Sequence, residues 1–223
     1  MSTRRDTLLF DLDGTLTDTD ALHYEAYRIL LAPLGKAVSH ETYKARIMGA
    51  ANEAIMAWLF PDDSVARHRA LADEKERLFR TLATRMQPLP GLIDLLAWAE
   101  AQKIKTAVVT NAPRFNAEMM LGAIGLAERF PVLVIGEEVA RGKPDPLPYL
   151  TALERLGAKA EAALAFEDSR SGVQAATAAG VETVGMTTGL DAATLRGVGV
   201  AGTIADFTDP WLLGKLKREF ERS

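Results

Sequence analysis

The 223-residue sequence predicts an α/β protein, a parallel β-sheet with helices on both faces that carries a block of extra helices inserted after its first strand. Three observations predict it. From residue 88 onward, short β-branched or apolar runs alternate with stretches of helical periodicity. Residues 20–87 show helical periodicity and no strand signal. The apolar run at 7–10 stands before that helical block, cut off in sequence from the strands it must pair with.

Thr7, Leu8, Leu9 and Phe10 make the first strand, which runs straight into Asp11-Leu12-Asp13-Gly14. Between 20 and 87 the apolar residues fall at Leu22, Ala26, Ile29 and Leu30, then Ile47, Ile55, Trp58 and Leu59, then Leu71, Leu78 and Leu82. That spacing marks amphipathic helices. After Pro88-Leu89-Pro90-Gly91 the pattern predicts a helix over 92–102, a strand over 105–110, a helix over 116–124 and a strand over 132–136. A helix over 146–156, a strand over 163–167, a helix over 172–179 and a strand over 182–187 follow, with a short strand at 203–205 and a closing helix over 211–220. The resulting organisation is a Rossmann-like core, 1–17 and 88–223, and an α-helical second domain, 18–87, joined by hinges at 17–20 and 85–90.

Composition sets limits. At 48% hydrophobic the chain can bury a sizeable core, and no run of 18 apolar residues is available to span a membrane. The polar stretch 1–6 leads directly into the first strand, leaving no room for a signal peptide, so the expected location is cytoplasmic. The absence of cysteine excludes disulfides, thiolate nucleophiles and cysteine-ligated zinc, and a net charge of −4 does not favour a nucleic-acid partner. Arg67, Arg69, Lys75, Arg77 and Arg80 alternate with acids and are expected to form a solvated helix face. A monomer or weak homodimer is the expected assembly.

The chemistry gathers at strand ends. Asp11 and Asp13 leave the first strand on the same side, and Gly14 lets the backbone turn so that both face one cavity. Two carboxylates that close call for a hard cation such as Mg²⁺, with one Asp as nucleophile and ligand and the other as acid and base. The 105–110 strand ends at Thr110-Asn111, where a hydroxyl and backbone N–H groups suit phosphate oxygens. Gly142-Lys143-Pro144-Asp145-Pro146 follows the next strand and offers the Lys143 ammonium as a counter-charge, and the strand after it ends in Glu167-Asp168, further oxygen ligands for a metal.

With these four groups in order, the chain resembles the haloacid dehalogenase superfamily of phosphotransferases, whose motifs appear as Asp11-Leu12-Asp13-Gly14-Thr15, Thr110, Lys143 in its Gly-Lys-Pro turn, and Glu167-Asp168. The resemblance covers the whole chain and matches the branch with an α-helical cap after the first strand, the phosphoglycolate phosphatase and β-phosphoglucomutase-like subfamily. It implies that Asp11 attacks phosphorus and Asp13 handles protons. It further implies that Thr110, Asn111 and Lys143 bind phosphate, and that Mg²⁺ is held by Asp11, the Asp13 carbonyl, Asp168 and Glu167. The implied activity is a Mg²⁺-dependent phosphatase that hydrolyses small phosphate monoesters, sugar phosphates or similar metabolites, through an aspartyl-phosphate. Two alternatives accompany it: a β-phosphoglucomutase-like phosphomutase, and a non-catalytic binding or regulatory module on the same fold.

Three residues are candidates for reading the substrate. His23, near the start of the first inserted helix, matches a histidine of sugar-phosphate enzymes; Asn52, in the turn 48–53, is placed as a reader and also as the N-cap of a helix from Glu53; Arg114 follows the Thr110 turn. His40 and His68 are expected at the surface. Asp13 and the lack of a lysine near Asn52 separate the chain from dehalogenases and phosphonatases. Asn52 stands where the mutases carry an arginine, with Arg46 the nearest basic residue, and Ala112 stands where phosphoglycolate phosphatases usually have a lysine.

Overall fold

The computed structural model describes residues 4–220. A six-stranded, all-parallel sheet runs in the order β3-β2-β1-β4-β5-β6. Its strands are β1 (Thr7–Phe10), β2 (Lys105–Thr110), β3 (Val132–Ile135), β4 (Ala163–Glu167), β5 (Glu182–Met186) and β6 (Gly202–Ile204). The strands alternate faces with period two: Leu8, Phe10, Val108, Leu164 and Phe166 enter one core, while Leu9, Ala107, Val109, Ala163 and Ala165 enter the other. The first core is large and aromatic, with the Phe10 and Phe166 rings stacked at 5.1 Å. Helices α5 (Leu92–Ala101), α6 (Arg114–Ala123) and α10 (Pro210–Phe220) cover it. The second is rich in alanine and receives α7 (Leu147–Leu156) and α8 (Arg170–Ala178).

Between β1 and α5 lie the four inserted helices, α1 (Asp20–Leu31), α2 (His40–Arg46), α3 (Asn52–Leu59) and α4 (Val65–Leu82). They enclose a core of their own, centred on Tyr27, Leu31, Tyr43, Ile55, Met56 and Leu71. Ser39 and Ser64 cap α2 and α4, each hydroxyl accepting the N–H three residues on. Ala26 and Phe79 belong instead to the main core, so α1 and α4 are also seated on the sheet layer.

Several expectations change. Helix α9 (Ala192–Val198), capped by Asp191, was not expected, and α6 and α8 begin two residues early, at Arg114 and Arg170. Asn52 is not an N-cap: Ala51 holds that position and Asn52 is already helical. His68 is buried rather than at the surface, with Nε2 2.7 Å from the Phe60 carbonyl. Of the basic residues assigned to a solvated face, Arg67, Arg69 and Arg77 are exposed, but Lys75 is buried and Arg80 half-buried. The reason is the helical repeat: Leu71, Lys75 and Phe79 are spaced by four and share the buried stripe of α4. Among the described residues no helix is long and apolar enough to cross a membrane.

Candidate active site

The strand order places β1 between β2 and β4, and the C-terminal ends of these three strands face a cavity of about 80 Å³ roofed by the inserted helices. Ligands of open parallel sheets bind at such ends. Asp11 leaves β1 here, its N–H donating to the Phe166 carbonyl of β4 (3.0 Å), which ties the first residue past the strand into the sheet. Gly14, at φ +69°, makes the turn that follows, and a Cβ there would overlap the Asp168 carboxylate. Glycine at 14 therefore serves both the turn and the close approach of Asp168.

Lys143 is the hub. Its buried ammonium donates to Asp11 Oδ1 at 2.6 Å and to Glu167 Oε1 at 2.5 Å. Burial opposes its charge, but Asp11 and Glu167 outweigh that and hold it above the usual lysine range. Glu167 is completely buried and also accepts from the Tyr149 hydroxyl (2.7 Å) and Ser169 Oγ (3.3 Å). Gly172, in the first turn of α8, has no room for a side chain, because a Cβ would overlap the Glu167 carboxylate. Glu167 Oε1 is thus spent on Lys143 and Tyr149.

Carboxylate oxygens of Asp11, Glu167 and Asp168 lie within 4.8 Å of one another, all three residues buried. Burial first, against the pull of Lys143, and then Glu167 and Asp13 push Asp11 up to about 8. Asp168 is raised well above the carboxylate range by burial, then by Asp11, Glu167 and Asp13. A hard divalent cation would relieve this repulsion, and an all-oxygen donor set suits one.

Asp13 has a different environment. Its Oδ1 accepts from Thr19 Oγ1 (2.6 Å) and lies 2.9 Å from His23 Nε2. His23 Nδ1 is in turn 2.8 Å from Lys75 Nζ, and the imidazole stacks on Phe79 with ring centres 4.0 Å apart. An ammonium donates and cannot accept, so Nδ1 accepts, and the ring proton sits on Nε2 and is donated to Asp13. Burial works to raise Asp13, but His23, Thr19 and Lys75 together hold it below the usual carboxylate value. Two neighbouring aspartates are thereby pushed in opposite directions.

Thr110 Oγ1 accepts from the Ala112 N–H (2.9 Å) and lines the cavity with its own proton free to donate. The Asn111 amide is otherwise engaged: Oδ1 accepts from the Lys143 N–H (3.1 Å), while Nδ2 donates to the carbonyls of Lys143 and Gly49, each at 3.1 Å. Ser171 Oγ donates to the same Gly49 carbonyl at 2.6 Å. Two core side chains thus hold one backbone oxygen of the inserted unit. Asn52 lines the cavity with its amide donating to Glu76 Oε1 (2.9 Å). Arg114 is not brought into the cavity; its side chain is 41% exposed and pairs with Glu138 and Glu118.

Sequence reasoning missed Lys75, Glu76, Asn116, Thr19 and Tyr149. Glu76 accepts from Lys75 and Asn52 through Oε1 and from Asn116 Nδ2 on α6 through Oε2 (2.6 Å), and Arg80 donates to Asn116 Oδ1 (2.8 Å). The signal was a Lys-Glu pair on the apolar stripe of a helix. The turn 48–53 brings no cation to the cavity lining, but Lys75 supplies one from α4.

A family model described as haloacid dehalogenase-like hydrolase matches residues 8–186. The chain is 36% identical, over 80% of its length and 83% of the relative's, to the phosphorylated carbohydrates phosphatase of Thermotoga maritima. It is 32% identical to the phosphoglycolate phosphatase of Xylella fastidiosa, covering 78% of this chain and 77% of that one. The crystal structure of CbbY from Rhodobacter sphaeroides in complex with phosphate superposes with a TM-score of 0.77 at 28% identity, covering 92% of this chain and 96% of the other.

Proposed function

The chain belongs to the haloacid dehalogenase-like hydrolases, and from that premise we propose that it is a Mg²⁺-dependent phosphatase of small phosphate monoesters, with the inserted helices 18–87 acting as its cap. The observation that carries this reading is the buried Lys143 ammonium bonded to Asp11, with Asp13 turned by Gly14 into the same cavity. Lys143 fixes Asp11 Oδ1 and leaves Oδ2 as the attacking oxygen. Thr110 Oγ1 and Lys143 Nζ neutralise the phosphoryl oxygens, and because they are fixed before the substrate arrives, no reorganisation accompanies the reaction. Asp11 and Asp168, with the Asp13 carbonyl and Glu167 beside them, would hold the metal, which when bound supplies positive charge against the phosphoryl oxygens.

The two half-reactions fall to the aspartates. Asp11 displaces the leaving alcohol from phosphorus to form an acyl phosphate, and protonated Asp13 gives its proton to the departing oxygen. Asp13, now a carboxylate that His23 and Thr19 hydrogen-bond, takes a proton from the water that releases phosphate from Asp11. The proton that Asp13 gives to the alcohol in the first step is the one it recovers from water in the second, so the residue returns to its starting state. The Asn116 clasp and the Gly49 carbonyl close the roof over these steps and exclude bulk water.

The test is product analysis with β-glucose 1-phosphate and a trace of the 1,6-bisphosphate. A phosphatase releases inorganic phosphate as fast as it consumes ester; rapid formation of glucose 6-phosphate with little phosphate assigns a mutase instead.

A further inference from the structure

On the wall of the cavity that faces away from the sheet, Asp20, His23 and Tyr27 occupy one stripe of α1, three and then four residues apart. His23 is spent on Asp13, and the other two flank it. Tyr27 is 1% exposed, yet its hydroxyl has no hydrogen-bond partner among the described residues, and neither does Asp20 Oδ1, which is also buried. The second oxygen of Asp20 lies 3.8 Å from His40 Nε2, so Oδ1 is the one left over. Buried polar atoms are almost always paired, and two unpaired on the wall of one cavity point to a ligand that pairs them.

We infer that Asp20 and Tyr27 form a leaving-group subsite that takes an uncharged, hydroxyl-bearing leaving group, as in phosphate esters of sugars and polyols, and rejects one that carries a carboxylate. The inference rests on the phosphatase reading above. The chemistry of the two atoms fixes the class: Asp20 Oδ1 only accepts, and the neutral Tyr27 phenol donates. An alcohol O–H donates to the first and an alcohol oxygen accepts from the second, whereas a carboxylate has no proton for Asp20. Charge points the same way. This wall carries the carboxylates of Asp20 and Glu76 against one ammonium, Lys75, which already donates to Glu76 Oε1 (2.9 Å) and His23 Nδ1 (2.8 Å). A carboxylate placed beside Asp13 would meet like charge with no free cation among the residues lining the cavity wall. The position beside His23 matters as well: the leaving oxygen takes its proton from Asp13, so hydroxyls on neighbouring carbons lie along the Asp20–Tyr27 stripe.

The experiment measures kcat/KM with Mg²⁺ for glucose 6-phosphate, 2-phosphoglycolate and p-nitrophenyl phosphate, in the wild type and in Tyr27→Phe and Asp20→Asn. The wild type is expected to prefer glucose 6-phosphate to 2-phosphoglycolate by about 100-fold, the scale of a buried hydrogen bond to a charged group. Tyr27→Phe should lower the glucose 6-phosphate value about fivefold and Asp20→Asn about tenfold. Both should leave p-nitrophenyl phosphate within about twofold, since it offers no hydroxyl. Asp20→Asn should raise the 2-phosphoglycolate value. Equal loss on all three esters would mean that the residues only support α1, and a wild type that prefers 2-phosphoglycolate would overturn the subsite while leaving the phosphatase intact. No hydrolysis of any ester would remove both readings. Asp20→Asn is isosteric at a partly exposed position, so it and the wild-type ratio decide the matter even where Tyr27→Phe fails to fold.

Discussion

The two walls of the cavity are built on different terms. At the strand ends, Lys143, Asp11, Glu167, Tyr149 and Ser169 form a closed network in which each buried group has a partner, with glycines at 14 and 172 making room. On the helical side His23, Lys75 and Glu76 are linked in a chain that reaches across to Asp13, while Asp20 Oδ1 and Tyr27 OH have no partner among the described residues. The difference teaches where each task sits: groups that act on phosphorus are locked by packing, and groups that meet the variable part of the substrate are presented and unspent.

Changes to the sheet wall should therefore be catastrophic and changes to the helical wall graded. Asp11→Asn is expected to lower kcat by at least about 10⁴-fold, because an amide cannot form the acyl phosphate. Trapping with a beryllium fluoride should place the adduct on Asp11, and an adduct elsewhere would break the assignment. Gly172→Ala pushes the Glu167 carboxylate, and Lys143 with it, and should cost about 100-fold in kcat, the scale of a roughly 1 Å misplacement. Kinetics alongside a melting curve separate this from simple unfolding.

Metal binding tests the repulsion within the acid cluster. Mg²⁺ at about 100 times its Kd should stabilise the protein by about 2.7 kcal/mol and raise Tm by about 5–10 °C. Without metal the sign reverses for the carboxylates. Asp11 and Asp168 have folded values above their unfolded value of 3.8, so the fold binds more protons than the unfolded chain, and stability falls as pH rises from 4 towards 8. Asp168→Asn should consequently raise Tm of the chelated protein at pH 8 and abolish the Mg²⁺ response; calorimetry reads both.

On the helical wall, Lys75→Met should lower kcat about tenfold. It should also move the acidic limb of the pH profile upward, because Asp13 loses a charge that holds its carboxylate low. An unchanged profile would detach Lys75 from Asp13. Smallest of all, Arg114→Ala should change kcat/KM by less than about twofold, since its ion pairs are at the surface.

What the sequence made legible divides along the same line. Strand-end groups were readable because each ends an apolar run: Asp11 after β1, Thr110 at the end of β2, Glu167-Asp168 where β4 closes. Parallel pairing, Phe10 against both Val108 and Phe166, then forces them together. No comparable rule locates residues inside a helix. Lys75 looked like one charge among many on α4, and only the buried stripe from Leu71 to Phe79 distinguishes it from Arg67, Arg69 and Arg77. Tyr149 eluded the sequence for another reason: its ring counts as core, and its hydroxyl bond to Glu167 depends on how α7 crosses the sheet.

The Gly49 carbonyl that receives Asn111 and Ser171 has an evolutionary consequence. The roof is moored to the core there by main chain, at a glycine whose φ of +72° and close approach to Ser169 and Ser171 leave no room for a Cβ. Side chains at 48, 50, 51 and 52 can be exchanged while the mooring persists, so substrate preference can drift, or be redirected in a library, without the closure having to be reinvented each time.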